Sequence, residues 1–463
     1  MERYIRRVGN AFLLGFALLA LGAGYWQVVR GPALAAAPGN PRVIEEVRRT
    51  VRGRILDRTG QVVVETVAGE RRATRPNLAH ATGYYSLRYG RTGVERAYDA
   101  ELAGRRGVPP LMDLLRQLTG APRVGADVVL TIDSRLQDVA DQALGDARGA
   151  VVLMDVRTGA LLVALSKPYF DPSRVEEDWP QLSRDDARPL YNRVSQGLYV
   201  PGSTFKAVTA VAAIDSGLMQ PSTRVADPTG EVTISGFRIT DAERPPRPEF
   251  DFAHAFAWSS NVVFAQVGLQ LGEARLREYA ARFGMGASLP FELETSPTIL
   301  SRTAPMSPVL LASTAFGQGE LLMSPLQMAL VAAAIARDGE VPRPYVAAEV
   351  RRPDGVLLRR TEPATLGRAM APGTAAALRA MMALSVEEGF ARRAAIPRVR
   401  VGGKTGTAQS VPGMPDHSWF IGIAPVDRPR LAIAVLMEFS GWGSLEAAPV
   451  ARQVLERALA VVQ

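Results

Sequence analysis

The chain has 463 residues, 47% of them hydrophobic and 22% charged, which excludes a disordered chain and suits two or three packed domains. Its 54 basic and 46 acidic residues leave a net charge of +8 with no basic cluster interleaved with aromatics, so no nucleic-acid surface is expected; the excess either favours anionic lipid and wall polymers or is a compositional bias without function. With no cysteine and three scattered histidines, disulfides, thiolate catalysis and Cys-ligated metals are excluded, and neither a metal nor a cofactor is expected.

Arg3, Arg6 and Arg7 precede residues 8–29, in which only Asn10 and Gln27 are clearly polar. As a helix this stretch rises about 33 Å, enough to cross a hydrocarbon core of roughly 30 Å. Tyr25 and Trp26 stand at its far end, where amphipathic rings favour an interface, and the arginines should stay cytoplasmic. Ala33-Leu34-Ala35 resembles a signal-peptidase site, but the apolar stretch exceeds an ordinary signal core, which favours an uncleaved anchor. Either way the chain is exported.

Pro32, Pro38, Gly39 and Pro41 mark a linker. Residues 43–51 and 62–67 read as strands about the turn Arg58-Thr59-Gly60, whereas residues 83–104 show no helical period. Beyond Asp127, residues 128–132 give a strand and 134–147 a helix with Leu136, Val139 and Leu144 inward. A hairpin follows, residues 150–155 and 160–165 about Arg157-Thr158-Gly159. Helices dominate residues 203–282 and return at 325–337 and 373–388. Strands at 398–402, 419–424 and 431–437 precede a last helix at 447–462. Strands at both ends of a helical middle imply an α/β fold with one antiparallel sheet covered by helices.

Lysine occurs only at Lys167, Lys206 and Lys404, against 51 arginines. A position that keeps lysine in such a chain can need an amine able to lose its proton, which guanidinium cannot do. Ser203-Thr204-Phe205-Lys206 opens an apolar helix and puts the amine one turn from a hydroxyl at the positive end of the helix dipole. That suits nucleophilic catalysis by Ser203 with Lys206 as base; the competing reading is a capping serine beside a solvated lysine. Lys404-Thr405-Gly406-Thr407 follows Gly402-Gly403, where glycine lets another backbone approach and Lys404 with Thr405 can hold a carboxylate, or else forms a plain turn. Ser259-Ser260-Asn261, taken alone, reads as a helix cap. His254 and His417 lack the setting of a Ser-His-acid triad, and Lys167 reads as a surface lysine.

In this order, S-x-x-K, S-x-N and K-T-G resemble the active-site signature of the penicillin-recognising serine enzymes. Separations of 56 residues (203 to 259) and 145 residues (259 to 404) suit transpeptidases better than β-lactamases. Arg52-Gly-Arg-Ile-Leu-Asp57-Arg-Thr-Gly60 and Tyr89-Gly-Arg-Thr-Gly93-Val-Glu95 are similar to two pedestal boxes of class B penicillin-binding proteins. Leu130–Gln137, Phe316-Gly-Gln-Gly319, Ser324-Pro-Leu-Gln-Met328 and His417-Ser-Trp-Phe420 resemble landmarks of their transpeptidase domain.

The resemblance implies the penicillin-binding-protein/serine β-lactamase-like fold, with a membrane anchor at residues 1–30, a small β-rich pedestal at 31–125 and a transpeptidase domain at 126–463. Carried over by position, Ser203 is the acylated nucleophile, Lys206 its base, and Ser259 and Asn261 line the cleft. Lys404, Thr405, Gly406 and Thr407 bind the donor along an edge strand, and the N–H groups of Ser203 and Thr407 form an oxyanion hole. The implied substrates are peptidoglycan stem peptides ending in D-Ala-D-Ala, with β-lactams as covalent ligands and membrane lipid around the anchor. Only residues 61–82 separate Gly60 from Gly83, so the head module of longer relatives is absent or vestigial. The pedestal leaves no room for a glycosyltransferase, so glycan polymerisation falls to a separate membrane glycosyltransferase. A β-lactam sensor, a β-lactamase, a D,D-carboxypeptidase and a non-catalytic activator of a glycan polymerase are the alternatives. Asp57 and Arg58 either dock that polymerase or form an internal salt bridge.

Overall fold

The computed structural model describes residues 1–31, 34, 49–106, 115, 116, 118, 119, 121–225, 229–242, 250–409 and 413–461. The expected linker, most of the strand at 43–51 and the alanines of the signal-peptidase-like site lie outside the described residues. Helix α1 (Glu2–Gly24) continues as a wider π turn through Val29. Within its 27-residue stretch Arg3–Val29 an 18-residue window has a mean hydropathy of 1.8, and the helix is long and apolar enough to cross a membrane.

Strands β1 (Ile55–Leu56), β2 (Val62–Val67) and β3 (Glu70–Ala73) form an antiparallel meander. Next come β4 (Asp127–Leu130), helix α2 (Ser134–Leu144) and the hairpin of β5 (Gly149–Asp155) with β6 (Leu161–Lys167). Asp133 caps α2 by accepting from the Arg135 N–H, and Gly145 at φ +58° ends it three residues short of the expected boundary. Lys167 does not stand free at the surface: it pairs with Asp141 at 2.7 Å and donates to the Gly145 carbonyl at 2.5 Å, satisfying the C-terminus of α2.

Helix α3 (Lys206–Asp215) leads to a hairpin absent from the expectations, β7 (Glu231–Ile234) with β8 (Phe237–Thr240). Then follow α4 (Phe252–Ala257), α5 (Asn261–Arg282), α6 (Pro308–Ala315) and α7 (Pro325–Ala336). Ser307 and Ser324 cap α6 and α7, each with proline in the first turn, where its missing N–H costs nothing. Helix α7 is buried on every side, as its uniform apolarity requires. Strands β9 (Ala347–Arg351) and β10 (Leu357–Arg360) and helix α8 (Pro372–Glu387) come next. The chain closes with β11 (Gly402–Ala408), β12 (His417–Ala424), β13 (Leu431–Met437) and α9 (Ala447–Val461).

Five strands form the central sheet in the order β11-β12-β13-β5-β6, every pair antiparallel. Alternate residues feed two cores. Ala150, Val152 and Met154 point into the larger core with α3 and α7, whereas Val151 and Leu153 face the smaller one with α2 and α9. A sheet covered on both faces explains why β5 and β13 are continuous apolar runs.

A second sheet runs β10-β9-β4-β1-β2-β3 and joins residues on both sides of position 125. The two pedestal boxes meet in it. Arg52, 7% exposed, pairs with Glu95 at 2.7 Å and Asp99 at 2.8 Å, and Arg71 reaches the other oxygen of Glu95 at 2.6 Å. The stretch 83–104 supplies this partner from two short helices, Gly93–Ala97 and Asp99–Leu102. Asp57 pairs with no arginine among the described residues. Its carboxylate accepts from the Thr59 N–H and hydroxyl at 2.8 and 2.7 Å, from the Gln61 N–H at 3.0 Å and from the Ser134 N–H at 3.2 Å. The internal salt bridge is thus replaced by a turn lock that reaches the first residue of α2.

Candidate active site

Ser203 lies in a single 3-10 turn, Gly202–Phe205, that runs into α3. The turn is held from both sides. Trp419 donates from its indole to the Val200 carbonyl at 2.9 Å, and β11 packs against it backbone to backbone. A methyl group at Gly406 would sit 2.7 Å from the Pro201 carbonyl oxygen, so that position accepts only glycine without displacement.

Lys206 is fully buried one turn below Ser203. Its amine is 3.0 Å from the Ser203 hydroxyl, 2.8 Å from Asn261 Oδ1, 3.1 Å from the Ser259 hydroxyl and 2.5 Å from the Ser259 carbonyl. An ammonium has three protons for these four oxygens, whereas a neutral amine can turn its lone pair to the Ser203 O–H. Burial pushes the Lys206 pKa well below the usual lysine range; the charge of Lys404 lowers it further and Asp241 acts in the opposite direction. Lys404, also fully buried, donates to the Ser259 hydroxyl at 2.9 Å and the Thr405 carbonyl at 3.1 Å, and burial brings it down to about 7. One hydroxyl, that of Ser259, therefore bridges two amines.

Ser259 reaches this position through a left-handed backbone, φ +60°, a strained conformation for serine that turns both its carbonyl and its hydroxyl toward Lys206. Ser260 is the cap, accepting from the Val263 N–H at 3.0 Å, so the cap reading holds for the middle residue while its neighbours carry the site. Asn261 is oriented by β8: its Nδ2 donates to the Thr240 carbonyl at 2.9 Å, which leaves Oδ1 for Lys206.

Asp241 was not legible from the sequence. Its Oδ1 accepts from the N–H of Asn261 at 2.6 Å and of Val262 at 3.0 Å, clamping the first turn of α5. The only available signal was the hairpin that carries it. Ser235 and Gly236, both at positive φ, turn two short alternating strands as a primed turn does.

The Lys404-Thr405-Gly406-Thr407 run lies inside β11, not after a strand at 398–402 as its glycines implied. Glycine is a poor strand former, but Gly403 is tucked under the Phe420 ring and Gly406 under Pro201. Ser203, Ser259, Asn261, Thr405 and Thr407 line one cleft of about 590 Å³; Phe237, Phe316, Phe390 and Trp442 supply its aromatic walls. Lys206, Lys404 and Gly406 stand behind this surface. His254 is paired with Asp251 at 2.6 Å within the cap of α4. His417 Nδ1 accepts from the Phe439 N–H at 3.1 Å, and burial lowers the His417 pKa.

A family model described as the penicillin binding protein transpeptidase domain matches residues 149–456, and one described as the penicillin binding protein A dimerisation domain matches residues 52–128. The chain is 33% identical over 491 residues to the peptidoglycan D,D-transpeptidase PbpA of Mycobacterium tuberculosis, covering 99% of each chain. It is 32% identical over 408 residues to the peptidoglycan D,D-transpeptidase MrdA of Haemophilus influenzae, covering 79% of this chain and 62% of that one. The structure superimposes on the ceftriaxone acyl-enzyme complex of M. tuberculosis penicillin-binding protein A with a TM-score of 0.83 at 31% identity, covering 90% of this chain and 100% of that one. With Pseudomonas aeruginosa PBP2 the TM-score is 0.76 at 30% identity, covering 89% and 96%. With the serine-lysine cleft, the sheet and the whole length of the chain in agreement, the protein belongs to the penicillin-binding protein transpeptidase family.

Proposed function

We propose that the protein is a peptidoglycan D,D-transpeptidase that works through an acyl-enzyme on Ser203, the same group that β-lactams occupy. The observation that carries this reading is the Ser203 hydroxyl 3.0 Å from an amine whose burial favours the neutral form. Relatives named D,D-transpeptidase and acyl-enzyme structures of a relative support it. Lys206 takes the Ser203 proton as Oγ attacks the D-Ala-D-Ala carbonyl. The Ser203 and Thr407 N–H groups face the developing oxyanion, and the peptide C–N bond breaks with that proton delivered to the departing D-Ala amine. An acceptor amine then attacks the ester; the new amide forms, the C–O bond breaks and the amine's surplus proton returns to Ser203 through Lys206. Ser259 carries protons between the two lysines, Asn261 orients the donor, and Lys404, Thr405 and Thr407 hold its carboxylate.

Residues 1–30 serve as an uncleaved membrane anchor with Arg3, Arg6 and Arg7 cytoplasmic, residues 31–125 as a pedestal and residues 126–463 as the transpeptidase unit outside. A separate membrane glycosyltransferase supplies the glycan. Intact mass after penicillin treatment, followed by peptide mapping, should place one adduct on Ser203; a label on Ser259 would overturn the assignment. Lys206→Arg should lower the acylation rate by at least about 100-fold although it keeps the charge. Release of D-Ala with transfer to an amine, rather than to water, separates a transpeptidase from a β-lactamase, a carboxypeptidase or a sensor.

A further inference from the structure

A second, shallower groove of about 390 Å³ adjoins the catalytic cleft and shares Phe390, Trp442 and Ser444 with it. Gly389, Arg392, Arg393 and Leu445 complete its lining. Its floor is tied to the catalytic residues: the Phe390 ring meets Trp258 edge to face at 5.7 Å, and Trp258 directly precedes Ser259. The Arg392 guanidinium lies 6.0 Å over the same indole. Both arginines are exposed, and among the described residues neither has a carboxylate within ion-pair distance. Glu388, the nearest acid in sequence, turns to His254 at 3.9 Å. Trp442 and Leu445, 48% and 45% exposed, leave apolar surface uncovered beside this unneutralised charge.

Acyl transfer needs two peptides. By the transpeptidase reading, on which this inference rests, the donor fills the cleft along β11 and its departing carboxylate belongs to Lys404 and Thr405. The acceptor must bring an amine to Ser203 from a surface the donor leaves free, and an acceptor stem peptide carries a carboxylate of its own. We infer that the Phe390–Arg392–Arg393–Trp442 shelf seats the acyl acceptor, with the two guanidinium groups holding its carboxylate and Trp442 and Leu445 covering its apolar stem. Paired arginines suit this task because their planar forks match carboxylate geometry.

The test uses the full chain in detergent with a D-Ala-D-Ala pentapeptide donor and a stem tetrapeptide whose side-chain amine accepts. The acceptor is supplied with either a free C-terminal carboxylate or a C-terminal amide. The unaltered protein should favour the carboxylate acceptor, and that preference should shrink as salt rises. Arg392→Gln/Arg393→Gln should raise KM for the carboxylate acceptor by about tenfold, leave KM for the amide unchanged and abolish the salt effect. Arg392→Lys/Arg393→Lys should retain most of the preference, and penicillin acylation of Ser203 should be unaltered in all forms. Equal change for both acceptors, no change for either, or a raised donor KM would overturn the shelf. Acylation by penicillin without transfer to any amine in the unaltered protein would overturn the transpeptidase reading, and the shelf with it.

Discussion

Lys206, Ser259 and Lys404 form a chain of two amines joined by one hydroxyl, and the charge state of each lysine limits the other. Asp241 is the acid that enters this balance, and it works against the depression of Lys206. Asp241→Asn keeps an acceptor oxygen for the Asn261 and Val262 N–H groups but removes the charge, so the Lys206 pKa should fall further. The acid limb of the penicillin acylation rate should therefore move to lower pH with the plateau retained. Asp241→Ala, which also removes the clamp, should lower the plateau; identical pH profiles for Asp241→Asn and the unaltered protein would exclude the charge effect. Lys404 gives a second titration. Its pKa falls from about 10.4 in the unfolded chain to about 7 in the folded protein, so between these values the unfolded state binds the extra proton and stability rises with pH. Calorimetry from pH 7 to 9 should show a rising Tm that Lys404→Met flattens. These lysines were legible because the chain has only three, two of them in motifs. Asp241 was not, because nothing periodic surrounds an aspartate at the end of a four-residue strand.

At the scale of elements, the site exists because three backbones approach closely: the Ser203 turn, β11 and the loop after α6. Gly317, at φ +96°, would place a methyl group 1.8 Å from the Gly202 carbonyl oxygen. Gly317→Ala should displace the nucleophile turn and slow acylation by about 10- to 100-fold, with a lower Tm. Gly355→Ala is the control: its φ of +88° is similarly unfavourable, but its methyl group would meet nothing within 4 Å. It should lower Tm modestly and leave acylation alone; equal effects on acylation would show that backbone strain, not crowding, is what matters. The same glycines explain what sequence reading missed. Leu431–Met437 announced itself as an apolar run, whereas the strand expected at 398–402 stopped where β11, Gly402–Ala408, in fact begins, because Gly402, Gly403 and Gly406 carry no apolar pattern to extend it. Its strand character comes from β12, whose Phe420 ring fills the space the missing side chains leave.

For the whole molecule, the link between pedestal and catalytic unit rests on Asp57 as well as on the shared sheet. Burial pushes its carboxyl pKa up, but hydrogen bonds from Thr59, Ser134 and Gln61 outweigh burial and leave the value below the usual range. A carboxylate depressed by folding stabilises fully above its unfolded pKa of about 3.9, and that contribution is lost as pH falls through the lower folded value. Asp57→Asn should therefore lower Tm at pH 7 and reduce its fall on acidification, with acylation of Ser203 retained. An unchanged Tm would mean that the Ser134 contact does not couple the two units. The boxes around Arg52 and Glu95 could be recognised in the sequence, but their meeting could not, since the two residues stand 43 positions apart and nothing local links them.

The six-stranded sheet also sets an order of events during synthesis. Val128 of β4 pairs with Val350 of β9, a partner that the ribosome makes about 220 residues later. At ordinary elongation rates that delay is roughly 10–45 s, during which β4 presents a row of unpaired N–H and carbonyl groups. A nascent chain stalled before β9 is thus open to strand exchange with its neighbours, and the completed edge is guarded by β10, whose four residues are all exposed and end in two arginines.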